Sequence, residues 1–520
     1  MTSRLILVLH SHLPYVKRQG RWPFGEVWLF EAIAETYIPF IQSWSRLMRD
    51  GLTAPLTISL SPTLLEQVSS EYVQEQFIEY LKHQEHAAIA DERYYRAQGQ
   101  LEYASLAADY QRFYQEVRRD FITEFDCDLL GVISRMRQHV PLEILATAAT
   151  HAYLPLIRDK KSLQRQIETG VETFTRRLGV KPDGFWLPEC GYYQGLEDIL
   201  IDQGVKFFFV DSHAIEGGKP PQIFSDMEVF TEDDIEVFQE TGLSTYRPYR
   251  IKDKPIAVFG RNAMVSYQVW SKEYGYPGDA VYREFHKQSP RSGLKYWKVS
   301  DRNSGSSAKT VYSRGEAQNK LRSQAGHFIN VLDDVAGEAV KMGFQDPLIV
   351  ACYDTELFGH WWWEGVDWLE EVMRRLNQHG NIKMELPSTI LQGQDRFAGA
   401  QVFESSWGVG GKHMGWDNKE TVWMWDTIYQ AQQDFEAIED SSGSDLIDLA
   451  VKLARNELML MESSDWFFMV TNNHTRDYAM KRFFDHYARF ARMVEMVKLN
   501  RFDEQSVAWL NKIKLDDEIF

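Results

Sequence analysis

The amino-acid sequence predicts an α/β protein built around a parallel β-sheet or barrel, on two observations. Short runs of apolar and β-branched residues, typical of buried strands, recur along the chain. The stretches between them are long and compatible with helices, and a parallel strand needs such a crossover to reach its neighbour. Seven runs have this character: Arg4–Leu9, Leu56–Leu60, Leu145–Thr150, Gly184–Leu187, Val205–Val210, Ile256–Phe259 and Leu348–Tyr353.

The segments between and after these runs differ in character. Residues 64–140 have the pattern of long amphipathic helices and are too many for a simple crossover, so they predict a helical insertion. Residues 213–250 begin as an acidic segment between the fifth and sixth runs, and a loop of this length is usually functional or mobile. We therefore expect a sheet or barrel domain over residues 1–400, and a helical domain over residues 401–520.

The composition describes a globular chain with an acidic balance. Of the 520 residues, 57 are Lys or Arg and 75 are Asp or Glu, so the formal net charge is −18. Nucleic acids and anionic membranes both require basic patches, so we expect neither as a partner. The three cysteines lie far apart, which predicts no disulfide framework. No signal-like segment precedes the first run, so a cytoplasmic location is expected.

Polar residues that can take part in catalysis or bind a polar substrate follow six of the seven runs. In a parallel barrel the carboxyl ends of the strands meet on one face, and that face carries the active site. Any one of these residues could be a core histidine or a helix cap, but the recurrence predicts a functional site there. They are His10 and His12, His151, Glu189, Asp211 and His213, Arg261, and Asp354.

Two of these residues are carboxylates in aromatic surroundings. Glu189 lies within Phe185–Tyr193, and Asp354 shortly precedes the three consecutive tryptophans Trp361–Trp363. A pair of carboxylates facing one sugar ring is the machinery of glycoside cleavage, and aromatic faces stack on sugars. The sequence thus predicts a sugar-processing site. Other carboxylates are also available for such a pair, namely Glu356, Asp211 and Glu143.

The histidines allow an alternative. His10 and His12, together with His151 and a carboxylate, would also make a plausible zinc or iron set. A metal-dependent deacetylase or other hydrolase therefore competes with the sugar-cleaving interpretation. The lack of a His-Glu-x-x-His signature and the aromatic surroundings of the acids favour the latter.

Five short motifs, in this order, resemble those of glycoside hydrolase family 57, and within it most closely the α-1,4-glucan branching enzymes. The resemblance extends over nearly the whole chain. The motifs are His10–Tyr15, Gly131 with Ala149–Leu156, Trp186–Cys190, Tyr353–Trp361, and Ser406–Gly411 continuing to Trp416.

The resemblance implies a (β/α)7 barrel, with Glu189 as the nucleophile and Asp354 as the general acid/base of a retaining reaction. An α-1,4-glucan such as amylose or a glycogen-like polymer would be cut, and the segment passed to a 6-hydroxyl to form an α-1,6 branch. It implies that no metal or other cofactor takes part, and a monomer or homodimer is expected. The helical C-terminal domain would close one side of the cleft. Substrate-binding positions implied in the same way are His10, His12, His151, Arg261, Trp270, Gly278, His360, Trp407, Trp416, Asp465 and His474.

Three departures from the family's pattern bear on the activity. Asn262 follows Arg261 where the family usually has aspartate, and His474 stands where a glutamine is common. Branching members carry a tyrosine in the loop between strands five and six, whereas residues 213–245 contain none; the first are Tyr246 and Tyr249. If neither reaches the site, an α-amylase-type hydrolase or a 4-α-glucanotransferase becomes the alternative. A glucan-binding protein without turnover is a further one.

Overall fold

The computed structural model describes residues 2–21, 24–220, 235–271, 274–300, 309–392, 397–473, 475–517 and 519–520. Within these ranges, ten strands form one sheet, with the order β10-β6-β7-β5-β4-β3-β2-β1-β8 and β9 beside β1. The strands are β1 Ser3–Ser11, β2 Leu56–Leu60, β3 Leu142–Thr147, β4 Gly184–Trp186, β5 Phe207–Val210, β6 Tyr249–Ile251, β7 Ala257–Gly260, β8 Leu348–Asp354, β9 Ile382–Met384 and β10 Gly399–Ala400.

The seven strand predictions are confirmed, and the corresponding strands β1–β5, β7 and β8 run parallel to one another. They curve into an incompletely closed barrel. Between β7 and β8 the described residues form no ladder, but the Asn262 amide donates a hydrogen bond of 2.8 Å to the Val350 carbonyl.

Two details differ from the sequence prediction. The third strand begins at Leu142 and ends at Thr147, because the chain then leaves the ladder and the Ala149 amide bonds to the Gln166 carbonyl of a helix. The strands β6, β9 and β10 were not predicted, because each alternates buried and exposed residues and so contains no continuous apolar run.

Side chains alternate along the barrel strands, as the strand period of two requires. In β1, Ile6 and Val8 join an apolar cluster inside the barrel, whereas Leu5, Leu7 and Leu9 belong to the large core shared with the helices. The barrel interior is therefore filled below the carboxyl ends of its strands, and a cavity that opens into the barrel must lie above them.

Helices cover the barrel and extend beyond it. A π-helical turn, Ile33–Tyr37, joins the first two. Among the described residues no helix is both long and apolar enough to cross a membrane. The helices are α1 Glu26–Ala32, α2 Ile38–Arg49, α3 Pro62–Val68, α4 Glu71–Ala97, α5 Leu101–Thr123, α6 Leu129–Met136, α7 Lys160–Leu178, α8 Leu196–Asp202, α9 Ser212–Glu216, α10 Ala263–Trp270, α11 Arg314–Lys341, α12 Gly365–His379, α13 Pro387–Gln392, α14 Val422–Glu436, α15 Asp445–Met461, α16 Ser464–Asn472, α17 Arg476–Lys498 and α18 Glu504–Asp517.

The C-terminal helices α14–α18 dock on the barrel next to the end of β3. Two hydrogen bonds join them to the segment that follows this strand: Thr150 Oγ1 donates to the Met459 carbonyl (2.6 Å), and the Ser464 amide donates to the His151 carbonyl (3.1 Å). This docking places the first residues of α16 above the barrel.

Candidate active site

A cavity of about 570 Å³ opens above the carboxyl ends of the barrel strands. Loops after β1, β3, β4, β7 and β8 contribute to it, together with residues 407–416 and the start of α16. It is lined by His10, His12, His151, Glu189, Arg261, Trp270, Phe285, His286, Asp354, Glu356, Trp361, Trp407, Gly408, Val409, Gly415, Trp416, Asp465 and Phe468.

Strand register brings His10 and Asp354 side by side. The two residues are Cα partners in the β1–β8 ladder, at the carboxyl end of both strands. The alternation that turns Val350 and Cys352 into the barrel interior continues to Asp354, and the same alternation in β1 continues to His10. The period of two thus aims both side chains into the cavity.

Glu189 reaches the cavity from a short turn after β4. The turn spans Pro188–Cys190, and Glu189 adopts φ 60° and ψ 21°, a left-handed conformation that costs a non-glycine residue free energy. His151, in the segment after β3, shares this conformation with φ 54°. Such strained backbone persists where the surrounding structure holds it, and it is concentrated at functional sites.

Two neutral donors hold the Glu189 carboxylate. Trp407 Nε1 donates to Oε2 at 2.7 Å, and the Ser464 hydroxyl donates to Oε1 at 3.2 Å. The Ser464 oxygen also lies 2.8 Å from His151 Nδ1, so it links the carboxylate to this histidine. Both oxygens of Glu189 are therefore fixed in direction, with its side chain 16% exposed.

The pKa values of both acids, Glu189 and Asp354, are raised. Burial raises the pKa of Glu189 to about 7, against the hydrogen bond from Trp407 that favours the charged form. Burial raises the pKa of Asp354 well above its usual value, and the negative charges of Glu356 and Glu189 raise it further. The charge of Glu189 favours the protonated form of Asp354, because two neighbouring carboxyl groups resist ionising together. One carboxylic acid and one carboxylate facing the same cavity can supply a proton and a nucleophile.

Glu356 lies close to both Asp354 and His12. Its Oε1 accepts a hydrogen bond from the Tyr37 hydroxyl and another, at 3.2 Å, from the His12 amide. Burial raises the pKa of Glu356 to about 7. Its position next to Asp354 keeps negative charge close to that acid and favours its protonated form.

The three predicted histidines form a stacked group. His10 Nε2 lies 2.9 Å from His151 Nε2, and His12 Nε2 lies 3.0 Å from Asp465 Oδ2. Burial lowers the pKa values of His10 and His151, so both rings are neutral hydrogen-bonding groups at neutral pH. Within the described ranges, no group of three or more His, Cys, Asp or Glu side chains is arranged to hold a metal ion.

Arg261 is held in place from two sides. Its Nη2 makes a buried ion pair of 2.6 Å with Asp211, and its guanidinium lies 5.1 Å from the ring of Trp407. The neighbouring Asn262 turns away and caps helix α10, accepting a hydrogen bond from the Val265 amide at 3.1 Å. Aspartate and asparagine are equally good N-caps, so Asn262 keeps the local structure.

Tryptophans form much of the cavity wall. Trp270 and Trp361 lie next to each other with their ring centres 6.2 Å apart, and Trp361 is 39% exposed. Trp416 is buried and stacks on Tyr153 at 4.2 Å, which leaves only part of its ring to the cavity. These faces suit the apolar face of a sugar ring.

Some predicted residues are not brought to the cavity. His360 packs beside Phe285, with its Nδ1 3.5 Å from Glu31 Oε2, and it does not line the cavity. Gly278 lies in the turn Tyr276–Gly278 and is not a lining residue either. His474 lies outside the described residues.

The structure also separates the remaining candidates. Glu143 lies at the start of β3, where it accepts a hydrogen bond from the Ser388 amide, at the opposite end of the barrel from the cavity. Tyr246 and Tyr249 lie at that same opposite end: the Tyr246 carbonyl accepts from the amide that starts β8, and the Tyr249 hydroxyl donates to the Ser244 carbonyl. Neither tyrosine reaches the acids.

Ser464, Phe285, His286 and Phe468 are cavity or carboxylate contacts that the sequence did not single out. Ser464 immediately precedes Asp465, which was predicted as a binding residue. This adjacency is the feature of the sequence that could have pointed to Ser464. Phe285 and His286 follow no strand, and nothing in their local pattern marks them.

Sequence profiles match most of the chain. Residues 6–404 match the profile of glycosyl hydrolase family 57, and residues 427–520 match the profile described as 1,4-alpha-glucan branching enzyme, C-terminal. The chain is 34% identical to a 1,4-alpha-glucan branching enzyme of Thermococcus kodakarensis, over 100% of this chain and 78% of that protein. It is 28% identical to a probable 1,4-alpha-glucan branching enzyme of Mycobacterium tuberculosis, over 92% and 89%.

Two solved structures are similar throughout. The GH57 branching enzyme of Thermococcus kodakaraensis, crystallised with glucose and additives, superposes with a TM-score of 0.89, covering 100% of this chain and 95% of that one, at 34% identity. A novel alpha-amylase of Thermotoga maritima superposes with a TM-score of 0.85, covering 100% and 98%, at 28% identity. The overall fold is therefore common to proteins named for transfer and for hydrolysis.

Proposed function

We propose that this chain, which belongs to glycosyl hydrolase family 57, is a 1,4-alpha-glucan branching enzyme. One observation carries the proposal. The C-terminal segment that matches the branching-enzyme profile is the segment that brings Ser464 to Glu189 and Asp465 to His12. The profile match and the site geometry thus involve the same residues.

In the first step, Glu189 is the nucleophile and Asp354 the acid. A Glu189 carboxylate oxygen attacks C1 of a glucose unit, and the bond from C1 to the glycosidic oxygen breaks. Asp354, protonated because of its raised pKa, transfers its proton to that departing oxygen. The products are a glucan segment esterified to Glu189 and a shortened glucan with a free 4-hydroxyl.

In the second step, the ionised Asp354 acts as the base. It takes the proton from the 6-hydroxyl of another glucan, whose oxygen attacks C1 and releases the Glu189 carboxylate. Two displacements at C1 preserve the α configuration, so the new linkage is α-1,6. His10, His12, His151, Arg261 and Asp465 line the cavity as hydrogen-bonding groups for the sugar.

Hydrolysis is the second candidate function, favoured by the lack of a tyrosine in residues 213–245. Tyr246 and Tyr249 point away from the acids, so they do not shield the glycosyl ester from water. Residues 221–234 of this segment lie outside the described residues. If water replaces the 6-hydroxyl, the same two steps give an amylase-type reaction, and a 4-hydroxyl acceptor would give a 4-α-glucanotransferase.

Product analysis on amylose tests the proposal. New α-1,6 linkages are counted by debranching the product, and new reducing ends are counted before debranching. A branching enzyme forms α-1,6 linkages in excess of reducing ends. Reducing ends without α-1,6 linkages would contradict the proposal and support hydrolysis, and glucan binding without either product would support a non-catalytic protein.

The proposal also covers the domain organisation, the cellular location and the oligomeric state of the chain. Residues 1–400 form the catalytic barrel with a helical insertion at 64–140, and residues 401–520 form the helical domain that completes the cleft. The boundaries of the two profile matches, 6–404 and 427–520, support this division. The enzyme would act in the cytoplasm on a glycogen-like α-glucan, as a monomer or homodimer.

Replacing Ser464 with alanine is expected to lower kcat roughly 10- to 100-fold, since a hydrogen bond to a charged group contributes about 1.5–3 kcal/mol. The hydroxyl donates to the carboxylate that attacks C1 and does not itself react, so Ser464 acts through Glu189 and is a positioning residue. The measurement is the initial rate on amylose with kcat and KM separated. A loss confined to KM would contradict this role.

Ser405→Ala is the matched control for Ser464→Ala. Ser405 is equally buried, and its hydroxyl makes no hydrogen bond with the described residues. We expect this variant to retain the activity of the unmodified chain.

The pH dependence of kcat/KM is expected to rise through about pH 7 and to fall at higher pH. The nucleophile must be ionised, and the pKa of Glu189 is raised to about 7. The acid must be protonated, and the pKa of Asp354 is raised well above its usual value. Because the two groups interact, the limbs report apparent pKa values of the pair.

Trp407→Phe tests the direction in which the hydrogen bond from Trp407 shifts the pKa of Glu189. The Trp407 N–H donates to the charged form of Glu189, so its removal raises the pKa of Glu189 and moves the acid limb to higher pH. An acid limb between pH 4 and 5 in the unmodified chain, or a shift to lower pH in the variant, would contradict the assignment of Glu189.

A further inference from the structure

A second cavity lies outside the barrel mouth, between helix α5 of the helical insertion and the start of α12. Its volume is about 130 Å³, and it shares no lining residue with the main cavity. Aromatic side chains on its wall come from α5, from the segment before α11 and from the end of the tryptophan run: Tyr110, Phe113, Tyr312 and Trp363.

Trp363 is held rigidly at this cavity. The Arg283 guanidinium lies 3.9 Å from its ring centre, and Phe113 meets the ring edge to face at 4.8 Å. Arg283 is itself fixed by a buried ion pair of 2.8 Å with Glu35. A half-buried indole held in this way offers a preformed surface for the apolar face of a ligand.

The polar groups of the cavity include carboxylates, tyrosine hydroxyls, an amide and a guanidinium. Glu364 is 2% exposed, and its carboxylate accepts a hydrogen bond from the Arg283 amide at 3.2 Å and another from the Tyr312 hydroxyl. A ligand is therefore expected to bind the polar groups at the rim. At the rim, Gln318 Nε2 donates to Asp367 Oδ2 at 2.7 Å, and both side chains have further hydrogen-bonding capacity.

The charge balance favours a neutral hydroxylated ligand over a cation. The charge of Glu35 is already paired with Arg283, and Arg314 adds a positive charge at the rim. Aromatic faces combined with acceptors and donors at their edges are the features that bind a pyranose ring. The small volume suits one sugar unit rather than a longer segment.

We propose that the second cavity binds a glucose unit of an α-glucan chain away from the acid pair. This inference rests on the proposed function, because that function makes an α-glucan the substrate polymer. Trp361 lines the main cavity, Trp362 is buried between them, and Trp363 lines the second cavity. A polymer anchored at Trp363 is held next to the main cavity, so the second cavity raises the effective concentration of long substrates there.

The consequence is a difference between long and short substrates. A polymer can occupy both cavities at once, whereas a maltooligosaccharide in the main cavity gains nothing from the second one. Variants of the second cavity should therefore raise KM for amylose and leave kcat and the KM for maltoheptaose unchanged.

Two variants test this, Trp363→Leu and Asp367→Ala. Asp367 lies at the rim and is half-buried, so Asp367→Ala is expected to fold. This second variant keeps the inference testable if Trp363→Leu does not fold. The control is Gln345→Ala, in a third cavity at the opposite end of the barrel beside Tyr246 and Phe344. Melting temperatures verify that each variant is folded.

Binding is measured by retardation in native gels containing glycogen, and KM is measured for amylose and for maltoheptaose. We expect both variants to lose several-fold in retardation and to raise KM for amylose about threefold or more, with the control unchanged. Equal retardation of variants and unmodified chain, or equal changes in KM for both substrates, would overturn the inference. If the unmodified chain forms no α-1,6 linkages while the variants still lose retardation, the proposed function fails and the glucan cavity stands.

Discussion

Glu189→Gln is expected to lower the rate of both α-1,6 linkage formation and release of reducing ends on amylose by about 10⁴-fold or more. Glutamine keeps the volume and can still meet Trp407 and Ser464, so the fold and the cavity are preserved. The amide is a poor nucleophile, so no glycosyl ester forms. Because transfer and hydrolysis share this ester, both products must disappear together.

Glu143→Gln provides the matched control for this experiment. Glu143 is a carboxylate of the same barrel, and burial raises its pKa to about 7 like that of Glu189, but it lies at the opposite end of the strands. The same substitution there is expected to leave both rates unchanged. Equal losses in the two variants would mean that Glu189 acts through stability, and residual branching by Glu189→Gln would remove it as the nucleophile.

The parts of the site that the sequence predicted share a physical basis. A buried parallel strand needs a continuous apolar run, so the seven parallel strands of the barrel could be predicted from such runs. A polar residue at the end of such a run must emerge at the carboxyl face of the barrel, which is where His10, Glu189 and Asp354 lie. The alternation of side chains along a strand then decides which of them point into the cavity. His10 in β1 and Asp354 in β8 follow this alternation.

Other parts depend on contacts that no local pattern encodes. Ser464 meets Glu189 across a separation of 275 residues, and only the docking of the C-terminal helices brings them together. His360 follows Gly359, which has φ 106° and presses its backbone against Glu35. That turn directs His360 toward Glu31 and away from the cavity, a change of direction that residue spacing after a strand does not predict.

The three tryptophans illustrate the same limit. Their order along the chain predicted a common wall for one sugar site. In the structure, successive side chains diverge: Trp361 faces the main cavity, Trp362 is 1% exposed in the core, and Trp363 faces the second cavity. A compact turn between β8 and α12 spreads adjacent residues over three environments, and its path is set by packing against the π-helical turn Ile33–Tyr37.

Asp354→Ala is expected to lower the rate on amylose by about 10²- to 10⁴-fold, the range for loss of a general acid. The loss should be far smaller for an α-maltosyl fluoride donor, because fluoride departs from C1 without receiving a proton. Glu189 can then still form the ester, and the second step becomes slow because no base activates the acceptor hydroxyl. Azide, which needs no base, attacks C1 and releases the Glu189 carboxylate.

The measurements are the initial rates on amylose and on the fluoride, with and without azide, and the configuration of the glycosyl azide. The α-azide is expected, since two displacements at C1 retain configuration. Asp354→Asn is the companion variant that keeps the side-chain volume and should show the same pattern. Equal losses on both donors would show that Asp354 is not the acid, and a β-azide would show that the glycosyl ester on Glu189 is not an intermediate.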